Sequence, residues 1–291
     1  MTNVQADLVK IGLPKGRMQD GVLTLLRDAG ISISLGDRGY RPTLSLPGFN
    51  AKLLKPQNVV EMLHAGSRDV GFAGADWVAE LGADLVELVD TRLDPVRVVA
   101  AAPEGLLVDG RLPDDGDLVV ASEYIGLTQA WTDAQPFNGR LVRSYGATEV
   151  FPPEDADLIV DNTATGATLV QNGLVIVDTL MLSSTRLFAN PGALEDPAKR
   201  SRIDDLVLLL DSVLEARGRV MLEANVPGDQ LASVIDVLPC MREPTVSQLH
   251  GEGGYAVRAA VPRDGLPELL LAVKARGAVD LIVSQPEQIV R

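Results

Sequence analysis

Aromatic side chains are scarce. They make up 4% of the 291 residues, so any large core must be built from Val, Leu, Ile and Ala. Cysteine is nearly absent, and the single Cys240 excludes both an intramolecular disulfide framework and a multi-cysteine metal site. The two histidines, His64 and His250, have no second His or Cys at metal-ligand spacing. His64 falls on a helix beside Val60 and Leu63, and His250 at a hairpin edge, so both read as packing or surface residues. No stretch reaches the roughly 18–20 apolar residues of a membrane span. Met1–Lys10 lacks the basic region and apolar run of a secretion signal, so a soluble cytoplasmic protein is expected. Positive charge is in deficit too: 26 Lys and Arg face 40 Asp and Glu, a net charge of −14. That field repels nucleic acid unless basic residues concentrate on one face, and no such cluster is visible. A site for an anion must then be locally basic, which directs attention to basic residues in turns. Neither a Ser-His-Asp arrangement nor a Walker-type loop is present.

What is there is an alternation of strand and helix patterns. Strands are expected at Asp7–Leu13, Ala51–Leu54, Val70–Ala73 and Val96–Ala102, with helices over Met18–Ala29, from Pro56 to His64, and from about Asp76. A second set follows, with strands at Leu118–Ala121, Arg140–Ser144, Leu158–Val160 and Leu174–Val177. Helices at Glu123–Trp131, Ala147–Phe151 and Ala167–Asn172 lie between them. Such alternation implies parallel sheets covered by helices, and two units side by side leave a cleft for a ligand. After a long helix at Ser201–Ala216 the pattern changes to βαββαβ, the split ferredoxin-like order. Its elements are Arg219–Val226, Asp229–Leu238, Thr245–His250, Tyr255–Val261, Leu266–Arg276 and Asp280–Ser284, with a hairpin turn at 251–254. A domain boundary is expected near Gly218.

The most informative segment runs from Asp157 to Thr168. An apolar strand delivers Asp161 to its C-terminal edge, and a loop of small and hydroxyl residues then leads into a helix. Ala164, Gly166 and Ala167 let backbone N–H groups approach a phosphate closely, and Thr163, Thr165 and Thr168 add hydroxyls. A carboxylate at that edge can accept hydrogen bonds from ribose hydroxyls. Together these groups describe a ribose 5-phosphate unit. The alternative, an ordinary strand-to-helix turn with a Thr cap, is weakened by the apolar strand that ends in Asp161. In the turn Leu13–Arg17, Lys15 and Arg17 flank the flexible Gly16, so both cations can reach one pyrophosphate. Lys55 and Gly74 leave their own strands toward the same cleft edge. Asp76 reads as a first-turn helix carboxylate.

In this order, the segments resemble the ATP phosphoribosyltransferases of histidine biosynthesis. The resemblance rests on Pro14–Arg17, Lys55–Asn58, Asp69–Asp76, Gly146–Glu149 and the phosphoribosyl pyrophosphate (PRPP) loop Asp157–Thr168. It extends through Leu169, Asn172–Leu174, Glu243–Thr245 and Ala259–Pro262, the last two matching the extension of the family's long form. Asn162 stands where phosphoribosyltransferases of the other major type carry a second acid, and Val170 where many relatives have a charged residue.

The resemblance implies an α/β fold: a two-lobe catalytic region like periplasmic binding proteins, plus an ACT-like βαββαβ domain. Residues 1–102 and 183–217 form one lobe, 103–182 the other with the PRPP loop, and 218–291 a regulatory domain. The chain crosses between lobes near Ala102 and returns near Ser183. The implied reaction is attack of adenine N1 of ATP on C1 of PRPP, with Mg²⁺ carried on the pyrophosphate rather than by the protein. Glu149 and Asp161 are the candidate catalytic carboxylates. Lys15, Gly16, Arg17, Lys55, Gly74 and residues of the loop from Asp157 to Thr168 are the candidate substrate contacts. Glu223, Asn225 and Thr245 are expected to bind L-histidine as inhibitor of a homo-oligomer, a hexamer. Two other readings share the fold pattern: a binding or sensor protein without chemistry, and a phosphoribosyltransferase acting on a free base.

Overall fold

Valine-, leucine- and alanine-rich runs become buried strands, and the residues after them turn at one edge of a sheet. The computed structural model describes residues 8–35, 39–251 and 253–291. Asp7, the expected start of the first strand, and Glu252, in the expected hairpin turn, lie outside the described residues.

The chain divides into two compact units. The first holds the N-terminal strand and helix and residues 31–205, and the second residues 28–30 and 206–291. The first unit starts with β1 (Val9–Pro14), α1 (Arg17–Asp28), β2 (Ile33–Ser34), β3 (Thr43–Leu44) and β4 (Phe49–Leu54). Next come α2 (Pro56–His64), β5 (Val70–Gly74), α3 (Ala75–Glu80), β6 (Val86–Pro103), β7 (Asp117–Ser122), α4 (Ile125–Thr132) and β8 (Asn138–Arg143). It continues through β9 (Leu158–Thr163), α5 (Ala167–Gln171), β10 (Leu174–Ala189), α6 (Pro191–Glu195) and the first turns of α7 (Pro197–Arg217).

The first unit contains one mixed sheet of eight strands in the order β4-β1-β5-β10-β6-β9-β7-β8. This corrects the expectation of separate parallel sheets. Only the flanks are parallel, β1 with β4 and β5, and β7 with β8 and β9. In the middle, β10 runs antiparallel to β5 and β6, and β6 antiparallel to β9. The cause is length: β6 and β10 have 18 and 16 residues and serve both halves. Their first-lobe pairing ends and their second-lobe pairing begins at Asp94–Arg97 on β6 and Ser183–Thr185 on β10. The crossing on β6 is thus earlier than the expected Ala102.

At that crossing the ladder is irregular, and Arg92 and Asp94 take positive φ of 58° and 47°. Side chains replace the missing backbone pairs. The Thr91 hydroxyl donates to Thr185 O at 2.5 Å, Ser184 to Asp90 Oδ1 at 2.7 Å, and Thr185 to Asp94 Oδ2 at 2.9 Å.

The second unit's sheet has the order β12-β13-β11-β14, built from β11 (Arg219–Pro227), β12 (Thr245–Gln248), β13 (Gly254–Pro262) and β14 (Val279–Ser284). All its pairs are antiparallel, which is the ferredoxin-like arrangement. Along β11 burial alternates: Val220, Leu222, Ala224 and Val226 enter a core with Val234 of α8 (Leu231–Ile235) and Val273 of α9 (Leu266–Ala275). The intervening Glu223 and Asn225 face the other side. The expected helix Asp229–Leu238 is shorter, a 3₁₀ turn over Gly228–Gln230 followed by α8.

Close packing of α2 on the first sheet depends on two paired glycines, Gly12 and Gly71. A Cβ on Gly71 would stand 2.6 Å from Val59 Cγ1 and 3.1 Å from Gly12 O. Gly71→Ala should therefore lower stability by about 1–3 kcal/mol in denaturant unfolding. Adding Val59→Ala should recover part of that loss, and a purely additive double variant would show that the clash is absent.

Candidate active site

The parallel strands of both lobes end at one mouth. On the first lobe β1 ends at Pro14, with Gly16 at φ +78° turning the chain into α1 at Arg17. Pro14 pairs Leu54, and the Lys15 N–H donates to Leu54 O at 2.8 Å, so Lys15 and Lys55 leave the sheet side by side. The Lys15 ammonium sits 3.4 Å from the centre of the Tyr40 ring, an attraction that orients the cation without neutralising it. Lys55 precedes α2, where Pro56 supplies the fixed φ of a first helical residue. Gly74 closes β5 against Asp76: a Cβ there would fall 2.1 Å from Asp76 Oδ1.

On the second lobe β9 brings Asp161 to the mouth. Its Oδ1 accepts the Asn162 N–H at 2.7 Å. The loop then closes on itself, as Thr163 Oγ1 accepts the Gly166 N–H at 2.9 Å and Thr165 Oγ1 the Ala167 N–H at 3.3 Å. Gly166 has φ +83°, the left-handed conformation that lets the chain enter α5. Ala164, Thr165, Ala167 and Thr168 remain exposed. Glu149 lies on a 3₁₀ turn next to Asp161, after the left-handed pair Gly146 and Ala147.

Burial raises the Asp161 carboxyl to about 6, and the neighbouring Glu123 and Glu149 charges add to the rise. The Asn162 N–H and the Thr148 hydroxyl oppose it.

Two hollows open at the mouth. One is lined by Lys15, Arg17, Gly74 and Asp76 with Tyr124 and Asn162. The other is lined by Glu149 and by residues from Asp161 to Leu169, and it too includes Arg17 and Asn162. Arg17 and Asn162 thus belong to both.

Asp157 is the exception among the expected residues. Its carboxylate accepts the Val119 N–H at 2.6 Å, at the opposite end of β9 from Asp161. The strand's rise of ~3.3 Å per residue puts roughly 13 Å between the two positions, so Asp157 pins strands and does not reach the loop. Asp69 of the other motif does the same work, accepting the Lys10 N–H at 2.6 Å and an ion pair from Lys199 at 2.9 Å.

The residue pattern gave no sign of Tyr124, which is fully buried and donates to Asp76 Oδ2 at 2.6 Å. Asp76 is itself buried and accepts a second bond from Ser183. Only its place in the Asp69–Asp76 motif pointed to it.

In the second unit, Glu223, Asn225 and Thr245 line one depression on the helix-free face of the sheet. Arg258 Nη2 donates to Glu223 Oε2 at 3.0 Å, and Asn225 Nδ2 to Asp280 Oδ2 at 3.1 Å.

The raised Asp161 pKa has a consequence for stability. In the unfolded chain this carboxyl titrates near 3.8, in the folded chain near 6. Above about pH 6 both states are ionised and the folded state bears the full burial penalty, which fades as pH falls from 6 toward 4. Asp161→Asn has no such penalty and should be more stable than the native chain at pH 7.5 by on the order of 1–2 kcal/mol, after discounting for solvent screening. The gap should shrink by pH 4.5, and denaturant midpoints at the two pH values measure it. A gap that does not narrow would show that Asp161 is not the buried acid.

Residues 55–212 match the family model described as HisG: ATP phosphoribosyltransferase, and residues 216–287 match HisG, C-terminal domain. An ATP phosphoribosyltransferase of Pelotomaculum thermopropionicum is 35% identical over 282 residues, covering 94% of this chain and 96% of its own length. One from Chlorobium luteolum is 37% identical over 283 residues, covering 96% of each. Among solved structures, a chain of the ATP phosphoribosyl transferase (HisG:HisZ) complex from Thermotoga maritima superposes with a TM-score of 0.64 at 27% identity. It matches 72% of this chain and 99% of that one. With family-model matches over both of its parts and relatives aligned along nearly its whole length, the chain belongs to the ATP phosphoribosyltransferase family, in the form that carries the C-terminal domain.

Proposed function

We propose that the cleft joins ATP and PRPP, and that the observation carrying this reading is the pair of hollows sharing Arg17 and Asn162. The enzyme is a pentosyltransferase of histidine biosynthesis. PRPP has two anionic ends separated by a ribose, and the mouth offers two unlike walls. The 5-phosphate lies in the loop from Thr163 to Thr168, among exposed N–H groups and hydroxyls. Ribose hydroxyls donate to Asp161. The pyrophosphate extends to Lys15, Gly16 and Arg17, with Lys55 and Gly74 beside them. Mg²⁺ carried on the pyrophosphate would reduce the charge that Lys15 and Arg17 must meet.

Adenine N1 of ATP then attacks C1 of the ribose as pyrophosphate leaves, giving phosphoribosyl-ATP. Positive charge develops on the sugar, and the ionised carboxylates Asp161 and Glu149 stabilise it. Positioning of the two substrates supplies much of the rate. A binding protein without chemistry is disfavoured by the family match. An enzyme acting on a free base fits less well with Asn162 and with the C-terminal domain. No helix among the described residues is long and apolar enough to cross a membrane, and we place the enzyme in the cytoplasm with its soluble substrates.

Residues 218–291 are the regulatory domain in this reading. L-Histidine occupies the depression at Glu223, Asn225 and Thr245, its carboxylate meeting Arg258 and its amine the acids Glu223 and Asp280. Inhibition acts by favouring one arrangement of a homo-oligomer, a hexamer.

Lys15→Ala and Arg17→Ala should each weaken PRPP binding by about tenfold to a hundredfold in calorimetry, the loss of one charge-assisted contact. Thermal stability should change little, because Arg17 is an exposed first-turn helix residue and Lys15 a half-buried one at a turn. Unchanged PRPP affinity in both would refute the assignment of the basic turn. For the second domain, Asn225→Ala and Thr245→Ala should raise the histidine concentration for half-inhibition by about fivefold or more, at unchanged turnover without histidine. A native enzyme whose activity ignores millimolar histidine would remove the regulatory reading and leave the catalytic one standing.

A further inference from the structure

A hydrogen-bonded chain links the two lobes and ends on the carboxylate assigned to the ribose. Asp76, in the first turn of α3, uses both carboxylate oxygens: Oδ1 accepts from Ser183 Oγ of β10 and Oδ2 from the Tyr124 hydroxyl, each at 2.6 Å. The hydroxyl in turn accepts from Asn162 Nδ2 at 3.0 Å, and the Asn162 N–H donates to Asp161 Oδ1 at 2.7 Å. The chain has a direction. An amide nitrogen offers only protons, so the phenol proton points at Asp76. Burial and the Asp76 charge both push the Tyr124 ionisation far above its ordinary range, so the hydroxyl keeps its proton.

One turn along α3, Glu80 reaches the same helix of the second lobe. Its two carboxylate oxygens accept the first-turn N–H groups of α4, Gly126 at 3.0 Å and Leu127 at 2.9 Å. These donors have no partner within the helix, and a carboxylate at a helix start is favourable. The approach needs glycine, since a Cβ on Gly126 would lie 2.8 Å from Glu80 O. Between the two carboxylates, Trp77 stacks on Tyr124 with ring centres 4.8 Å apart, and it packs against buried clusters of both lobes.

We propose that Tyr124 is a positioning residue: with Asp76 and Asn162 it fixes the Asp161 carboxylate relative to the first lobe. The Glu80 clasp on α4 holds the lobes in one register, so the cleft is set before substrate arrives. The inference rests on the reading of Asp161 as the ribose contact. Without the Tyr124 hydroxyl, the acceptor left to the Asn162 amide among the described residues is Asp161 Oδ1, 3.4 Å away. Turning to it, the amide favours the ionised carboxylate and changes its direction.

Tyr124→Phe keeps the ring and its stacking and removes only the hydroxyl. In full-length enzyme with ATP, PRPP and Mg²⁺, kcat should fall about tenfold, and the acid limb of kcat/KM for PRPP should move about half a unit or more to lower pH. Amide hydrogen exchange needs no substrate and gives a second readout. Tyr124→Phe should speed exchange at residues 162–168, and Glu80→Ala at 125–128, each by about tenfold or more. A folded Tyr124→Phe chain with native acid limb and native exchange at 162–168 overturns the proposal. If the native protein shows no PRPP-dependent turnover, the functional reading fails, and the exchange data still decide whether the chain orders the loop. Should Tyr124→Phe not fold, Asn162→Ala cuts the same chain from a half-exposed position, and the exchange criterion applies to it unchanged.

Discussion

Backbone hydrogen bonding leaves the molecule little choice about how its catalytic lobes are joined. Strands of 18 and 16 residues, β6 and β10, lie antiparallel through the middle of the sheet, and each must find partners along its whole length. They pair with each other throughout, and on their outer sides β10 takes β5 at one end and β6 takes β9 at the other. Where the neighbours change, the ladder cannot stay regular, and Thr91, Ser184 and Thr185 complete it with hydroxyls. Of these, Ser184 and Thr185 also line one of the two hollows at the mouth. The mouth, the buried acid and the link between lobes all depend on where this ribbon changes hands.

Charge distribution follows a similar logic. The chain carries a net charge of −14, yet its first lobe places Lys15, Arg17 and Lys55 at one sheet edge. Across from them stand Glu123, Glu149 and Asp161; burial raises the last to about 6, and the two glutamates add to the rise. Like charges held together cost free energy, and a site can recover it when a cationic group or a magnesium-bearing substrate enters. An acidic exterior also leaves few competing places for a polyanion to settle.

Much of this was legible from residue patterns, for identifiable reasons. The strand Val70–Gly74 is buried at every position, so its apolar run had no other reading, and Pro56 fixed the start of α2. The turn after Asp161 could be placed between strand and helix because small and hydroxyl residues follow an apolar run there. Along β6 only Val96–Ala102 was visible. Asp90, Arg92, Asp94 and Pro95 break the pattern upstream, and what holds them in a strand is a partner strand whose Ser184 is 94 residues from Asp90 in sequence. Asp157 was assigned to the site because it belongs to the motif, whereas strand geometry sends it to the far edge. Tyr124 and Asp76 meet only through tertiary packing, which no local spacing encodes.

The strand order also reads as a palindrome. Reading β4-β1-β5-β10 from one edge and β8-β7-β9-β6 from the other gives the same plan: a central strand, its parallel neighbours on either side, and one antiparallel strand contributed by the ribbon. Asp69 and Asp157 occupy matching posts, each before the inner strand and each bonded to the N–H of the central one. The lobes are thus two copies of one architecture facing each other about an axis between β6 and β10. Symmetry holds at the closed edge, where these carboxylates are interchangeable pins, and it is broken at the mouth. There the turn holding Lys15 and Arg17 has Glu123 and Tyr124 as its counterpart, and the turn at Gly74 faces the loop after Asp161. The two halves differ at the mouth, where one brings Lys15 and Arg17 and the other the buried acid Asp161, and both halves line the same pair of hollows.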